Sequence, residues 1–279
     1  MLEPLRNLFR KAPAAPRPSV PEGTRYYAIG DIHGCYHLFD ALIDAIEEDD
    51  AAAPEADTTV VLLGDLVDRG PDSAKVVSRA RKWGRKRKVR YLAGNHEQMF
   101  LESFEDLSVL RHFVKHGGRQ TLLSYGVTRR DYDKLPLAEL QERIRELVPQ
   151  KHRDFLATFE EIIVAGDYAF VHAGVEPTRT LDDQARKDLL WIRDRFLRHN
   201  EPFEKVIVHG HTIFEEVEHR PHRIGVDTGA FRFGRLTALV LEGETQRFIQ
   251  ASQKTDGKVG SGPVSIGKWD NDNMKGLKA

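Results

Sequence analysis

Short apolar runs alternate with helical spacing along the central part of the chain. Residues 26–29 and 60–63 are apolar runs of strand length, and the apolar side chains from Leu38 to Ile46 between them fall on one helical face. Further runs of strand length occupy residues 89–92, 162–164, 169–171, 206–208 and 236–241. Because strands and amphipathic helices alternate in this way in βαβ units, the pattern predicts a layered α/β fold with sheets flanked by helices.

The same pattern divides the chain into a central domain and two polar ends. Residues 97–161 are polar and carry leucine and isoleucine at helical spacing, which predicts a helical insertion that borders or caps a site. Four prolines between residues 13 and 21 predict that residues 1–24 form a flexible N-terminal arm. Lysine, glycine, aspartate, asparagine and serine dominate residues 250–279 and predict a disordered tail. A single catalytic domain is therefore expected at residues 25–249.

Composition excludes several classes of function. The chain has 42 Lys and Arg against 43 Asp and Glu, so no strong overall field attracts nucleic acid or an anionic membrane. Basic residues concentrate at 79–90, but Trp83 is the only aromatic residue there, which favours a solvated helix end over an RNA-binding surface. The only cysteine, Cys35, cannot form an intramolecular disulfide, and the chain lacks an apolar run long enough to span a membrane. A cytoplasmic protein is expected.

The candidate chemistry stands where the predicted strands end. Polar segments occupy residues 30–34, 64–70, 94–97, 172–174 and 209–211, each after an apolar run. One Gly-Asp pair alone is more often a turn, and one histidine alone is more often a hydrogen-bonded core residue. Together, however, they offer oxygen and imidazole ligands without a thiolate at one sheet edge. Such a set suits manganese, iron or zinc and is too large for one tetrahedral zinc ion.

The five segments also match a family pattern. They contain, in order, Gly-Asp-Ile-His-Gly, Gly-Asp-Leu-Val-Asp-Arg-Gly, Gly-Asn-His-Glu, His-Ala-Gly and His-Gly-His. This series resembles the phosphoprotein phosphatase family within the calcineurin-like metallophosphoesterases. The glycine pair at 117–118 and the residues at 121–126 resemble the small bacterial and bacteriophage members. The resemblance covers residues 30 to about 249 and implies the calcineurin-like metallophosphoesterase fold.

The resemblance implies a centre with two divalent metal ions, manganese first with iron or zinc as alternatives. Asp65 would bridge the two ions, and His211 would lie beside the ligands without being one. Two dications about 4 Å apart can hold a shared water and lower its pKa, which makes water the nucleophile. The implied ligands are Asp31, His33 and Asp65 for one ion, and Asp65, Asn95, His172 and His209 for the other.

The same resemblance assigns the proton transfer. His96 would act as the general acid that protonates the leaving oxygen, and Asp68 would bond its other ring nitrogen. An ordinary salt bridge between Asp68 and the adjacent Arg69 is the alternative for that carboxylate.

Phosphate binding is assigned to two arginines and an amide. Arg69, Arg193 and Asn95 would contact the phosphate oxygens, with the arginines donating paired hydrogen bonds. Arg195 stands two residues from Arg193 and competes for the same role, and a surface ion pair is the alternative for either arginine.

Two further residues have simpler explanations. Cys35, next to the first polar segment, is expected to be a small packed residue instead of a redox-sensitive thiol. Asp227 lies in a Val-Asp-Thr-Gly segment, which predicts a turn at a strand end.

The expected reaction is hydrolysis of phosphate monoesters, with a protein carrying phosphoserine or phosphothreonine, or a small phosphoester, as substrate. The first alternative is a symmetrical bis(5'-nucleosyl)-tetraphosphatase, a sister family with the same metal motifs. That group typically has alanine where Asp68 stands and aspartate where Glu97 stands, so both residues favour the protein phosphatase. The second alternative, an inactive metal-binding scaffold, lacks support because every expected ligand and His96 are present. The oligomeric state stays open.

Overall fold

The computed structural model describes residues 17–265, and this part of the chain contains two β-sheets surrounded by helices. The strands are β1 (Thr24–Ile29), β2 (Asp57–Leu62), β3 (Val89–Tyr91), β4 (Ile162–Ala165), β5 (Tyr168–Val171), β6 (Val206–His209), β7 (Glu218–His219), β8 (Arg223–Gly225), β9 (Arg235–Glu242), β10 (Thr245–Gln253) and β11 (Val259–Val264). The α-helices are α1 (Tyr36–Ala52), α2 (Ser73–Trp83), α3 (Asn95–Glu102), α4 (Leu107–Phe113), α5 (Arg119–Ser124), α6 (Arg129–Lys134), α7 (Leu137–Leu147), α8 (Gln150–Ala157), α9 (Arg186–Trp191), α10 (Asp194–Leu197) and α11 (Ala230–Phe233).

The first sheet has six strands in the order β11-β10-β9-β1-β2-β3, and the second has five in the order β4-β5-β6-β8-β7. Strands β1, β2 and β3 run parallel, whereas β9 and β10 are antiparallel to their neighbours. In the second sheet β5, β6 and β8 run parallel. The parallel strands of each sheet therefore end on a common edge. The prediction of a layered α/β fold is confirmed.

Strand β1 shows why the apolar runs are continuous. Tyr27 and Ile29 pack into the core beneath helices α1 and α2, while Ala28 faces the second core, which contains Phe170 and Val208 of the other sheet. Successive strand residues point to opposite faces, so a strand covered on both faces needs apolar residues at every position. Each fully buried large apolar side chain stabilises the fold by about 1.5–3 kcal/mol.

The helices follow the predicted periodicity. Helix α1 buries the five predicted apolar side chains, which begin at Leu38 and end at Ile46. The predicted insertion forms α3 to α8, and α7 buries Leu140 and Ile144 against the same core. A π-helical turn at Val114–Gly118 joins α4 to α5 and carries the insertion towards the end of β2. The insertion therefore borders the edge at which the parallel strands end.

Both chain ends differ from the prediction within the described residues. The predicted tail is wrong for residues 250–264, because β10 continues to Gln253 and β11 pairs antiparallel with it. The β11 sequence is rich in glycine, serine and proline, but an edge strand needs only backbone pairing on one side. At the other end Val20 is buried and its N–H donates to the Gly243 carbonyl. Residues 1–16 and 266–279 lie outside the described residues.

Helices long and apolar enough to cross a lipid bilayer do not occur within residues 17–265.

Candidate metal centre

Loops that follow strands of both sheets converge on one buried cluster of polar side chains. These side chains are at most 5% exposed, so the protein holds several ionisable groups away from water. The cluster consists of Asp31, His33, Asp65, Asn95, His96, His172, His211 and Asp227. The structure thus brings together residues from all five predicted segments.

Asp65 lies at the centre of this cluster. Its Oδ2 lies 3.5 Å from Nε2 of His33, and its Oδ1 lies 3.5 Å from Nε2 of His172. Burial alone would raise the pKa of Asp65, but the surrounding histidines lower it well below its usual range. One carboxylate therefore faces two groups of donor atoms, His33 with His96 on one side and His172 with His211 on the other.

The chain reaches this geometry through a strained turn. Asp65 has a φ of 50°, and a Cβ on Gly94 would lie 2.1 Å from Asp65 Oδ1. The turn is held by Glu97, whose carboxylate accepts hydrogen bonds from the backbone N–H groups of Gly94, Asp65, Leu66 and Val67. Burial, together with the charge of Asp65, raises the pKa of Glu97 to about 8. Glu97 acts here through the backbone, which its position in the third segment did not indicate.

Backbone carbonyls orient two of the imidazoles. His33 Nδ1 lies 2.8 Å from the Val67 carbonyl oxygen, and His172 Nδ1 lies 2.8 Å from that of Leu63. A carbonyl can only accept, so each Nδ1 carries the proton and each Nε2 presents a lone pair to Asp65. Burial lowers the pKa of both rings, which favours their neutral form. A histidine that binds a metal through one ring nitrogen usually donates a hydrogen bond from the other nitrogen to a carbonyl or carboxylate oxygen.

The donor set fits divalent cations. His172 Nε2 offers only its lone pair, yet it faces the amide oxygen of Asn95 at 3.1 Å. Two acceptors at this distance repel each other unless a cation lies between them. Burial and then the charges of Asp227 and Asp65 raise the pKa of Asp31 well above its usual range. A cation at this place would relieve the repulsion between the two acceptor atoms and also the repulsion among the three carboxylates.

The last predicted ligand requires a correction, because the structure places His211 in the cluster instead of His209. His211 Nδ1 lies 2.9 Å from Asn95 Oδ1, whereas His209 Nε2 faces Glu218 at 3.6 Å and its ring packs edge-on against Phe196. His211 has a φ of 61°, so the chain has left the strand and strand alternation no longer predicts where this ring points.

His96 and Asp68 form a buried pair. His96 Nδ1 lies 2.6 Å from Asp68 Oδ2, while Thr121 donates to the other oxygen of the same carboxylate. Burial would lower the pKa of His96, but Asp65 and Asp68 outweigh it and raise the pKa above its ordinary value. Asp68 therefore pairs with the imidazole and not with the adjacent Arg69. Thr121 comes from the helical insertion, so its contact with Asp68 could not be predicted from the spacing of the five segments.

Two arginines reach the cluster from opposite sides. Arg69 donates from Nη1 to His33 Nε2 at 2.9 Å, and its Nη2 lies 3.1 Å from Nε2 of His96. Arg193 donates from Nε to His211 at 3.0 Å. Arg195 instead pairs with Glu176 and is largely exposed. Of the two competing arginines, Arg193 is the one beside the cluster.

Asp227 is a buried carboxylate in the turn that its Val-Asp-Thr-Gly segment predicts. Its Oδ1 accepts from the Gly229 N–H, as in such a turn, but its buried Oδ2 has no hydrogen-bond partner among residues 17–265. Burial and the charge of Asp65 raise the pKa of Asp227 to about 6. Its place directly after β8 was the available signal, since polar residues at strand ends mark the rest of this cluster.

Residues 24–235 match the family model described as calcineurin-like phosphoesterase, which covers most of the chain. Among curated proteins, the chain is 28% identical over 220 residues to serine/threonine-protein phosphatase 2 of Escherichia coli K12, covering 76% of this chain and 90% of the relative. It is 25% identical over 237 residues to the asymmetrical bis(5'-nucleosyl)-tetraphosphatase PrpE of Anoxybacillus flavithermus, covering 77% and 89%.

A solved structure has the same fold. The crystal structure of a putative diadenosine tetraphosphatase superposes with a TM-score of 0.56 at 22% identity and covers 90% of this chain and 100% of that chain. The family match and the fold confirm the calcineurin-like metallophosphoesterase resemblance that the five segments indicated, and the chain belongs to the calcineurin-like phosphoesterase family.

Proposed function

We propose that this metallophosphoesterase hydrolyses phosphate monoesters on serine and threonine side chains of proteins. Two divalent ions, manganese first with iron or zinc as alternatives, would occupy the two sides of Asp65. The proposed ligands are Asp31, His33 and Asp65 for one ion, and Asp65, Asn95, His172 and His211 for the other. When bound, the ions would supply the positive charge that activates water and neutralises phosphate oxygens.

The hydrogen-bonded pair of His96 and Asp68 is the observation that favours a phosphate monoester as the substrate. Hydrolysis of phosphoserine releases an alkoxide, which is a strong base and needs a proton as it departs. Cleavage of a dinucleoside tetraphosphate releases a nucleotide phosphate, which is a much weaker base. An imidazole that a buried carboxylate orients through Nδ1 could donate a proton from Nε2 to the leaving oxygen, which suits the monoester better.

The arginines would bind the phosphate. Arg69 and Arg193 point into the cluster from opposite sides, and each has further N–H groups that can donate to phosphate oxygens. Arg guanidinium groups bind phosphate in a bidentate manner and stabilise charge that rearranges during transfer. With Asn95 between His172 and His211, these residues would fix the phosphate relative to His96.

A dinucleoside tetraphosphate is the second candidate substrate. Curated relatives named bis(5'-nucleosyl)-tetraphosphatase include symmetrical and asymmetrical enzymes. The symmetrical enzyme of Paracidovorax citrulli is 34% identical over 157 residues. That match spans 56% of this chain and 46% of the relative.

One assay separates the candidates. The metal-loaded protein is given a phosphoserine peptide, a phosphotyrosine peptide and diadenosine tetraphosphate, and kcat/KM is measured for each. We expect the highest kcat/KM for the phosphoserine peptide and a lower value for the dinucleotide. A clear preference for the dinucleotide would reject the protein phosphatase assignment.

A further inference from the structure

A groove with a volume of about 870 Å³ extends away from Arg69. Its walls are the first turn of α1, helix α11 and the loop between β10 and β11. The loop wall includes Lys254 and Thr255, from the region that the sequence predicted to be disordered. This volume lies in the range of sites for drug-sized ligands, so the groove can hold much more than one phosphate group.

The groove has an excess of positive charge. Arg69, Arg232 and Lys254 line it, and among the residues that the structure describes Asp72 is the only carboxylate in its lining. Asp72 is paired with Lys75 at 2.8 Å. Within residues 17–265, neither Arg232 nor Lys254 forms an ion pair with a carboxylate. The lining therefore offers two exposed cations that no carboxylate in the described part of the chain pairs with.

Two exposed phenylalanine side chains of the groove have guanidinium groups over their rings. Phe231 is 38% exposed and lies beneath the Arg69 guanidinium, 4.7 Å from the ring centroid. Phe233 is 36% exposed and has Arg232 at 5.2 Å and Arg235 at 5.9 Å. A nucleobase would have to displace these guanidinium groups in order to stack, whereas a carboxylate could bind to them directly.

We propose that this groove binds acidic side chains next to the phosphorylated residue, so that the enzyme prefers acidic phosphopeptides. The proposal rests on the proposed function, since Arg69 would hold the phosphate where the groove begins. Arg232 and Lys254 would contact the neighbouring carboxylates at the rim. Contacts of exposed ion pairs are individually weak, and two of them together give about a tenfold preference in kcat/KM.

The test uses two phosphoserine peptides that differ only in flanking Asp/Glu or Ser/Gln residues. We expect the wild-type protein to favour the acidic peptide about tenfold at low salt, with the preference declining as salt screens the charges. In the double variant R232A/K254A the ratio of the two kcat/KM values should fall to near one. The matched control R85A/K86A removes one exposed Arg and one exposed Lys outside the groove and should keep the wild-type ratio.

A binding measurement separates this proposal from the proposed function. Phosphonate analogues of both peptides compete with an aryl phosphate, and their inhibition constants report groove affinity without requiring peptide hydrolysis. The groove proposal alone would be overturned if the wild type and R232A/K254A showed the same ratio between the acidic and the neutral peptide, both in kcat/KM and in the inhibition constants. Turnover of diadenosine tetraphosphate without turnover of either peptide would overturn the proposed function. If R232A/K254A lost more kcat/KM for diadenosine tetraphosphate than for the acidic peptide, the acidic peptide would be rejected as the occupant of the groove.

Discussion

His96 Nδ1 lies 2.6 Å from Oδ2 of Asp68, and both side chains are buried. Ser73 and Thr121 hold the backbone N–H of Asp68, and Thr121 also donates to its Oδ1. Asp68 adopts a φ of 75°, a left-handed conformation that costs energy for any residue with a Cβ. The surroundings thus fix one orientation of the carboxylate and, through it, one orientation of the imidazole.

Replacement of His96 by Asn should lower the rate according to how strongly the leaving group needs a proton. A general acid contributes about 10²–10⁴-fold, so the loss should be large for a phosphoserine peptide and small for an activated aryl phosphate. Steady-state kinetics on both substrates measures this difference. Asp68→Asn should produce the same pattern more mildly, because it misorients the imidazole without removing it.

Metal content provides the control for that experiment. Both variants should keep about two ions per chain, since His96 is assigned to proton transfer and not to metal binding. Equal rate losses on the two substrates, or the loss of an ion from His96→Asn, would contradict the assignment.

Replacement of Asp65 by Asn should nearly abolish turnover. Asp65 faces donor atoms on both sides at 3.5 Å, so a neutral amide would weaken the binding of both ions. The fold should survive, because Glu97 holds the backbone of this turn and not the side chain of Asp65. Circular dichroism, metal analysis and activity are measured on one preparation, and a folded variant with two ions and full activity would refute the bridging role.

His211 and His209 provide a direct test of the corrected ligand set. His211→Ala should release one of the two ions, because its ring faces Asn95 and Asp65. His209→Ala should keep both ions but lower the free energy of unfolding by about 1–3 kcal/mol, since Glu218 and Phe196 would lose a buried neighbour. Metal titration and chemical denaturation of both variants check this, and loss of an ion from His209→Ala would restore the original prediction.

The elements that the sequence predicted correctly are those whose pattern is local. The continuous apolar run of β1 and the spaced apolar face of α1 each reflect burial that a short window of sequence records. The positions of Asp31 and Asp65 could be predicted as well, because the ends of parallel strands meet at one edge.

The features that were missed depend on contacts between distant parts of the chain. The choice of His211 over His209 depends on a left-handed turn that points one ring inward and the other towards β7. Asp227 becomes a site residue only because β8 lies beside β6 in the second sheet. Strand β11 depends on pairing with β10, which its polar composition does not indicate.

Asp49 of α1 belongs to a partly buried network of hydrogen bonds and ion pairs whose contribution to stability should depend on pH. Asp49 accepts hydrogen bonds from Arg247 at 2.5 and 2.6 Å and from the buried Tyr27 hydroxyl at 2.5 Å. Burial would raise the pKa of Asp49, but Arg247 and Tyr27 hold it below its usual range. A carboxyl whose folded-state pKa is lowered stabilises the fold above its unfolded pKa of about 3.9, and this contribution disappears as the pH falls through the folded value.

Asp49→Asn should therefore lower the free energy of unfolding by about 1–3 kcal/mol at pH 7, with the difference from wild type shrinking below about pH 4. Urea denaturation at several pH values measures this, with Asp44→Asn on the exposed face of the same helix as the control. A difference that stays constant down to about pH 2 would show that the charge of Asp49 does not stabilise the fold.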